Sequence, residues 1–292
     1  MSAANVLVVG DVMVDVLVRP EGPLAPGSDR RAKIAIRTGG SGANQAAWLA
    51  HFGVKAHFVG RVGARDLAEQ SAALRASGVE PHLVGDGDLE TGRLVALIDA
   101  SGERSFFTDR GANEALAARD IPDALIAAAD CICLSGYSFF APEPRQAALH
   151  VLANAGPRPV AVDPASAEFL REVGARAFLD WTRGVALCLP NADEAEVLSG
   201  SGEPEAQLAC LSRRYGAVIV KRGAQGCVAA VGERRWRVAA APASAIDTTG
   251  AGDAFAAAFI GARLNGAKMQ EALERAVAAG SAATQFIGAR PR

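Results

Sequence analysis

The sequence predicts an α/β protein built on a doubly wound, mostly parallel sheet flanked by helices, with a small β-sheet lid beside it. Two observations support this fold class. Apolar, Val-rich runs typical of strands covered on both faces alternate with helical segments that end at glycine. Residues 14–37 and 91–110 break this alternation with extended segments, which favours a second sheet formed by insertions. We expect residues 1–292 to form a single domain.

The alternation runs along the whole chain. NVLVVGDVMVDVLV predicts the first strand, and GGSGANQAAWLAHFG predicts a turn and a helix that ends at Gly53. KAHFVGRVG and DLAEQSAALRASG repeat the pattern, with a helix end at Gly78. Later strands are expected in CICLSG, PVAVDP, VALCLPN and AVIVKRG. Such alternation implies right-handed crossovers and a parallel sheet, whose ligands bind beyond the carboxyl ends of the strands.

The two insertions read as extended structure. RRAKIAIR alternates polar and apolar residues after a Pro/Gly segment, and TGRLVALIDASGERSFFTDR predicts a hairpin with its turn at residues 100–102. Together they predict a small sheet that stands outside the main one. The alternative is a pair of ordinary edge hairpins.

Composition and charge narrow the classes of protein. Half of the 292 residues are apolar, and the formal net charge is −2, which gives no reason to expect nucleic acid or an anionic membrane as partner. No apolar run approaches membrane-spanning length, and the first residues lack a signal-peptide pattern. Five irregularly spaced cysteines do not form a disulfide framework. We therefore expect a cytoplasmic enzyme.

The most specific motif is IDTTGAGDAF at residues 246–255, directly before a helical segment. Gly250 and Gly252 flank Ala251 and let the backbone approach a ligand closely. The unpaired N–H groups at the helix start favour an anion. Asp253, just inside this helix, can accept a proton from a hydroxyl held beside a phosphate, which is the equipment for phosphoryl transfer to an alcohol. The alternative is a tight loop followed by a capping carboxylate.

The longer string DTTGAGDAF resembles the signature of the ribokinase-like (PfkB) carbohydrate kinase family, and further matches run in order from about residue 6 to residue 289. This resemblance implies in-line transfer of the γ-phosphate of ATP to a sugar hydroxyl. Asp253 is then the base, and the N–H groups of Gly250, Ala251 and Gly252 stabilise the transferring group. Because the helix dipole favours ionised Asp253, we expect a weak base, sufficient for a loose transition state.

Candidate acceptor-binding residues lie in the first fifty positions. The string GGSGANQ resembles the family's N-terminal glycine motif, which implies that Gly39 and Gly40 approach the sugar and that Asn44 binds a hydroxyl. Asp11 and Asp15 follow the first strand, where carboxylates either accept hydrogen bonds from sugar hydroxyls or cap a turn. The resemblance implies substrate binding by Asp15, whereas Asp11 is a candidate from its position alone.

The acceptor is expected to be a ribose- or ketose-like sugar. Ribokinases proper place an acidic side chain near the strand end at Ser135-Gly136-Tyr137, and this sequence has none there, so it does not favour D-ribose itself. Arg104 and Arg110 are interpreted as solvated charges on an edge strand. A nucleoside or a 2-keto-3-deoxy sugar acid is the alternative acceptor. A protein that only senses sugar or nucleotide is the alternative from another class.

Two segments are expected to bind the nucleotide. In PNADE, Asn191 and Glu194 have the spacing of a capping box. In the family the same N-x-x-E pattern orders Mg²⁺, which implies that Glu194 contacts the ion through water. KRGAQG resembles the family's T-x-G-x-x-G loop, in which Gly223 and Gly226 follow ATP and Lys221 meets its phosphates. A hairpin turn is the alternative, and the same loop can form a hairpin turn and bind the nucleotide.

Two further expectations concern a cation and the oligomer. Asp247 and Thr249 match the region where the family often uses a monovalent cation. The sequence ends in FIGARPR, soon after the family's second cation-contacting segment begins, so activation by K⁺ is allowed rather than expected. An isolated small sheet cannot bury both faces, which favours a homodimer through the lid. Charged residues of the 14–37 insertion would equally protect the exposed edge of a monomer.

Overall fold

The computed structural model describes residues 3–24, 26–99, 104–242 and 244–291, which contain two sheets and the helices around them. The strands are β1 Asn5–Val9, β2 Met13–Pro20, β3 Ala32–Gly39, β4 Lys55–Gly63, β5 Glu80–Asp86, β6 Gly92–Ile98, β7 Arg104–Asp109, β8 Cys131–Ser135, β9 Val160–Asp163, β10 Leu187–Cys188, β11 Ala217–Lys221, β12 Cys227–Val231 and β13 Arg234–Val238. The α-helices are α1 Ser41–His51, α2 Leu67–Ala76, α3 Asp123–Ala128, α4 Pro142–Asn154, α5 Ala167–Val173, α6 Ala175–Trp181, α7 Ala192–Ser199, α8 Pro204–Leu211, α9 Ala251–Leu264 and α10 Met269–Ala283.

The larger sheet has nine strands in the order β13-β12-β11-β10-β9-β8-β1-β4-β5. All neighbouring pairs from β11 to β5 are parallel, whereas β12 and β13 are added antiparallel at one edge. The chain order reverses at β1, which has β4 on one side and β8 on the other. The predicted doubly wound, mostly parallel sheet is confirmed, and its carboxyl edge beside β1 is where such folds bind ligands.

The smaller sheet has four strands in the order β3-β2-β6-β7 and is formed by the two predicted insertions. Strands β2 and β6 pair in parallel, and each has an antiparallel partner on its outer side. The predicted hairpin turn at residues 100–102 lies outside the described residues. We call this four-stranded sheet the lid.

The Val-rich run at the start of the chain is not one strand, as the sequence pattern suggested, but two. It divides between β1 in the larger sheet and β2 in the lid. A distant side chain bonds to the backbone at the break: Asn113 Oδ1 accepts from the Val12 backbone N–H at 2.9 Å, and Asn113 Nδ2 donates to the Val12 carbonyl at 2.9 Å. These bonds satisfy the backbone where the chain leaves one sheet for the other.

Both faces of the larger sheet are buried. Val6 and Val8 of β1 point into one apolar cluster, which includes residues of α1, α9 and α10, and Leu7 and Val9 point into the opposite cluster, which includes residues of α4, α7 and α8. The alternation follows from the two-residue period of a strand. Among the described helices, none combines the length and the apolar character needed to cross a bilayer.

Candidate active site

A cleft of about 670 Å³ opens at the carboxyl edge of the larger sheet. The start of α9 forms one side of it, and the ends of β9 and β11 with the start of α7 form the other. Its charged lining residues within the described ranges are Asp163, Glu194, Lys221 and Asp253. The cleft therefore brings together the residues that the sequence assigned to catalysis, to the nucleotide and to the metal.

The glycine loop before α9 has the predicted form. Gly250 is the N-cap residue, with a left-handed φ of 76°, and α9 begins at Ala251. A side chain at Gly250 would collide with the Ala289 carbonyl, so this position requires glycine both for its φ and for its packing. Residues 250–252 line the cleft, and the start of a helix suits an anion. The Ala251 N–H donates to the Thr248 carbonyl at 3.3 Å within the loop.

Asp253 is held by the first turn of α1. Ser41 Oγ donates to Asp253 Oδ1 at 2.7 Å, and Gln45 Nε2 donates to the same oxygen at 3.3 Å. Asn44 Nδ2 donates to Asp253 Oδ2 at 3.2 Å. These three contacts join two helix starts more than 200 residues apart in the chain, and they fix the carboxylate in one orientation.

The pKa of Asp253 differs from the sequence-based expectation. Burial raises the pKa of Asp253 to about 7, against the opposing effects of the Ser41 and Asn44 hydrogen bonds. The expectation of a weak base, drawn from the helix dipole alone, is therefore wrong. A carboxylate with a pKa near 7 is far better matched to proton transfer at neutral pH.

Lys221 is the cation beside the glycine loop. Its ammonium donates to Asp163 Oδ2 and lies 3.4 Å from the position that a side chain on Gly252 would occupy. Burial lowers the pKa of Lys221, but Asp163 and Glu194 outweigh this effect and raise it, so the side chain stays charged. Gly223 and Gly226 line the same cleft, as predicted for a nucleotide loop.

Asn191 and Glu194 form a complete capping box at the start of α7. The Glu194 backbone N–H donates to Asn191 Oδ1 at 2.8 Å, and the Asn191 backbone N–H donates to Glu194 Oε2 at 2.8 Å. Asn191 Nδ2 also donates to Glu194 Oε1 at 2.6 Å. Both side chains line the cleft, so the capping interpretation and the functional one are compatible.

The charge of this region fits a divalent cation. Glu194 is 2% exposed, and burial followed by the nearby Asp163 carboxylate raises its pKa well above the usual range. Three carboxylates line the cleft against the single described ammonium of Lys221. This excess of negative charge and the hard oxygen donors suit Mg²⁺, which keeps several waters and needs few protein ligands.

Asp11 and Asp15 have different surroundings. Asp11 accepts from the backbone N–H groups of Ser41 and Gly42, both at 3.1 Å, and from Ser135 Oγ at 3.0 Å. Its oxygens are thus engaged at the start of α1, where Asp11 positions the helix. Asp15 is buried, and its pKa is raised to about 6 by burial and then by Asp11.

The paired glycines match the space available. A side chain at Gly39 would overlap the Asp15 carboxylate, so glycine there leaves room for that acid. Gly40 precedes α1 with a left-handed φ of 94°. Asn44 lies between two functional groups, because its Nδ2 donates to Asp253 and its Oδ1 accepts from Arg290 Nε at 3.2 Å. Gly39, Asn44 and Asp15, all predicted to bind substrate, therefore lie close to Arg290, and Asn44 also contacts Asp253.

Two arginines in this region were missed or misassigned by sequence reasoning. Arg290 also donates to the Gly39 carbonyl at 3.1 Å, and burial lowers its pKa to about 10 despite nearby Asp15 and Asp253. Arg110 is not a solvated charge: its side chain is 12% exposed, lies 3.4 Å from Asp11 Oδ2 and covers the Tyr137 ring. Nothing is described for the Arg104 side chain.

Asp247 and Thr249 lie just before the glycine loop. Asp247 Oδ1 accepts from the Thr249 backbone N–H at 2.8 Å, and its Oδ2 accepts from the Gly288 N–H at 3.1 Å. Asp247 therefore ties this loop to the segment that carries Arg290. Trp48 Nε1 supports the same segment by donating to the Ala289 carbonyl at 2.9 Å.

Known proteins are similar to this chain in sequence and architecture. A family model described as pfkB family carbohydrate kinase matches residues 3–291. The ATP-dependent ribose-1-phosphate kinase of Halopiger xanaduensis is 31% identical over 98% of this chain and 94% of its own length. The bifunctional protein HldE of Caulobacter sp. (strain K31) is 32% identical over 93% of this chain, which spans only 57% of that relative.

A solved structure agrees with the sequence comparisons. The probable sugar kinase protein from Rhizobium etli CFN 42 superposes with a TM-score of 0.90 and 26% identity, covering 100% of this chain and 96% of that one. The match of the family model runs through the glycine motif before α1 and through the loop before α9. The chain belongs to the pfkB family of carbohydrate kinases, phosphotransferases that act on hydroxyl acceptors.

Proposed function

We propose that this protein transfers the γ-phosphate of ATP to a hydroxyl of a small carbohydrate, a ribose- or ketose-like sugar. The observation that carries the proposal is the position of Asp253. Its carboxylate lies in the first turn of α9, beside the glycine loop. Asn44 donates to this carboxylate and so links it to the acceptor region. ATP is the donor named for the ribose-1-phosphate kinase relative.

Each side chain has a role in this mechanism. Asp253 accepts the proton of the acceptor hydroxyl as the new phosphate ester bond forms, while Ser41 and Asn44 keep its carboxylate aligned. The N–H groups at the start of α9 and the Lys221 ammonium stabilise negative charge on the transferring group. ADP leaves as the product. Asp15 and Asn44 orient the acceptor through its other hydroxyls.

Mg²⁺ is the metal that Glu194 would help to hold in this cleft. It would neutralise phosphate charge and stiffen the geometry of the triphosphate. Asp163 faces the same region while paired with Lys221. For a monovalent cation near Asp247 and Thr249, we propose no obligatory role.

A screen of acceptors with ATP tests the assignment. ADP release should require a sugar, a sugar acid, a sugar phosphate or a nucleoside, and one of these classes should stimulate it strongly. A protein that only senses these ligands would bind them and show no turnover with any of them.

An anionic acceptor is the second candidate, favoured by Arg290. Its guanidinium lies against Asn44 and Gly39, inside the predicted acceptor region. A carboxylate or phosphate on the acceptor would meet it in a charge-assisted pair, as in a 2-keto-3-deoxy sugar acid or a phosphorylated sugar. The name of the Halopiger relative refers to a substrate of the latter kind. A nucleoside or a neutral sugar would offer this guanidinium no anionic group.

The first prediction concerns the base. Asp253→Asn should preserve the fold and ATP affinity but lower kcat by about 10²-fold or more, because the amide cannot accept the proton. Glu143→Gln is the matched control, since Glu143 is an exposed carboxylate in the first turn of α4. Steady-state kinetics measure both variants. Near-normal turnover of Asp253→Asn would remove this residue from the mechanism.

The second prediction concerns pH. Because the base must be ionised and burial raises its pKa, kcat/KM should fall as the pH drops through about 7. The Ser41 hydroxyl stabilises the charged form, so Ser41→Ala should move this acidic limb to higher pH. Ser281→Ala is the control, since Ser281 is a serine of α10 that lines the same cleft. A limb that stays in place in Ser41→Ala would contradict the assignment.

The third prediction tests whether Glu194 binds the metal or only caps α7. Glu194→Gln should weaken the apparent Mg²⁺ affinity by about 10-fold or more and leave acceptor KM nearly unchanged. Asp193→Asn, an exposed neighbour on the same helix, should change neither quantity. Titration of activity with Mg²⁺ decides between the two roles. If Glu194→Gln alters only thermal stability, the residue is a cap and no more.

The fourth prediction concerns the acceptor class. If the acceptor is anionic, Arg290→Gln should raise its KM by about 10-fold or more, because one charge-assisted hydrogen bond is lost. Arg275→Gln, on the exposed face of α10, is the control. Competition assays with neutral and anionic acceptor analogues measure the preference. Equal losses for both analogue classes would assign Arg290 to positioning Asn44 instead.

The fifth prediction is that the lid forms a homodimer interface. Ile34 and Ile36 lie on one face of β3 and are 64% and 65% exposed, and Phe106 and Phe107 of β7 are also more than half exposed. Burying such surface against a second copy is favourable. Light scattering at micromolar concentration should give twice the 30.0 kDa chain mass, and Ile36→Glu should halve it. A single-chain mass for the unaltered protein would exclude the dimer but not the kinase.

A further inference from the structure

A second cluster of ligand-type side chains lies at the opposite end of the larger sheet. His57, near the amino end of β4, faces Glu80 and His82 of the edge strand β5. One nitrogen or carboxylate oxygen from each residue lies within 4.8 Å of the others. The glycine loop and Asp253 belong to the carboxyl edge, so the phosphotransfer chemistry does not use these three residues.

The two imidazoles face each other at a short distance. His57 Nδ1 lies 3.0 Å from His82 Nε2, and it lies 3.7 Å from Glu80 Oε2. Two nitrogens bound tetrahedrally to one zinc ion at about 2.0–2.1 Å are roughly 3.3 Å apart. The observed separation is within a few tenths of an ångström of that value. The ring centroids lie 5.3 Å apart, so the two nitrogens point at each other, and the rings must also tilt to direct both lone pairs at one ion.

Asn5 fixes the tautomer of His57. Asn5 Nδ2 donates to the Ala128 carbonyl at 3.1 Å, which directs Asn5 Oδ1 toward His57 Nε2, also at 3.1 Å. Because that oxygen only accepts, His57 carries its proton on Nε2 and presents the Nδ1 lone pair to His82. An imidazole that donates its far N–H to a carbonyl-type oxygen is the usual support of a metal-bound histidine.

We propose that His57, Glu80 and His82 form a binding site for one divalent transition-metal ion of the Zn²⁺ class. Two imidazoles and one carboxylate are a donor set that Zn²⁺ accepts, with water completing four-coordination. His82 binds through Nε2 and holds its proton on Nδ1, so the ion replaces the hydrogen bond between the rings. Glu80 is half-exposed at 54%, which gives the ion access from solvent.

The consequence of metal binding is structural. Among the strands that the structure describes, β5 lies at the edge of the larger sheet and pairs with β4 alone. Without the ion, Glu80 lies near Lys55 in an exposed pair at 3.9 Å, a weak contact. An ion shared by His57, Glu80 and His82 would cross-link β4 to β5 and stabilise the folded chain by mass action.

The test uses the full chain, stripped with chelator and titrated with Co²⁺ and then with Zn²⁺, without ATP. We expect one equivalent of Co²⁺ to give visible bands of four-coordinate geometry without a thiolate band, Zn²⁺ to displace it, and excess Mg²⁺ not to. Saturating Zn²⁺ should raise the melting temperature. His82→Gln should weaken binding at least tenfold and abolish that rise, while kcat of the phosphotransfer reaction stays unchanged.

Two further variants sharpen the result. His150→Gln is the matched control, because His150 is an imidazole paired with Asp123 at 3.0 Å outside the cluster, and it should bind metal normally. If His82→Gln does not fold, Glu80→Gln replaces it, because Glu80 is exposed, and its Co²⁺ binding is measured in the same way. Unchanged Co²⁺ binding in the folded variant, a thiolate band, or no binding to the unaltered chain at 100 μM metal would each overturn the proposal.

Discussion

The contact between the first turn of α9 and the first turn of α1 is the constraint on which the active site depends. In the proposed mechanism Asp253 acts as a base only if its carboxylate is aligned and partly removed from water, and Ser41, Asn44 and Gln45 contribute to both. The same contact joins the proposed phosphate region to the proposed acceptor region, because Asn44 bonds to Asp253 on one side and to Arg290 on the other. A shift of α1 would therefore disturb catalysis and acceptor binding together.

The parts of the site that the sequence predicted are those encoded by short local patterns. The glycine loop before α9 requires a left-handed residue at Gly250, and the capping box at Asn191 and Glu194 depends on residues three apart. Both patterns are read without knowledge of the fold. The alternating apolar runs predicted the parallel sheet for the same reason, since the two-residue period and the helix ends at glycine are local signals.

The parts that could not be predicted depend on residues far apart in the chain. Arg290 reaches Asn44 across 246 positions, and no pattern near either residue indicates the pair. The backbone at the break between β1 and β2 bonds to Asn113, about a hundred residues later. The raised pKa of Asp253 reflects burial, which is a property of the assembled cleft, whereas the helix dipole visible in the sequence indicated the opposite direction.

The central claim is that the phosphate of ATP passes to an acceptor hydroxyl rather than to water. Phosphorus NMR of a complete reaction with ATP, Mg²⁺ and the acceptor found by the screen follows that phosphate directly. The account predicts one equivalent of a phosphate ester for each ADP formed, with little inorganic phosphate. Release of inorganic phosphate in step with ADP, or unchanged ATP with every acceptor class, would contradict it.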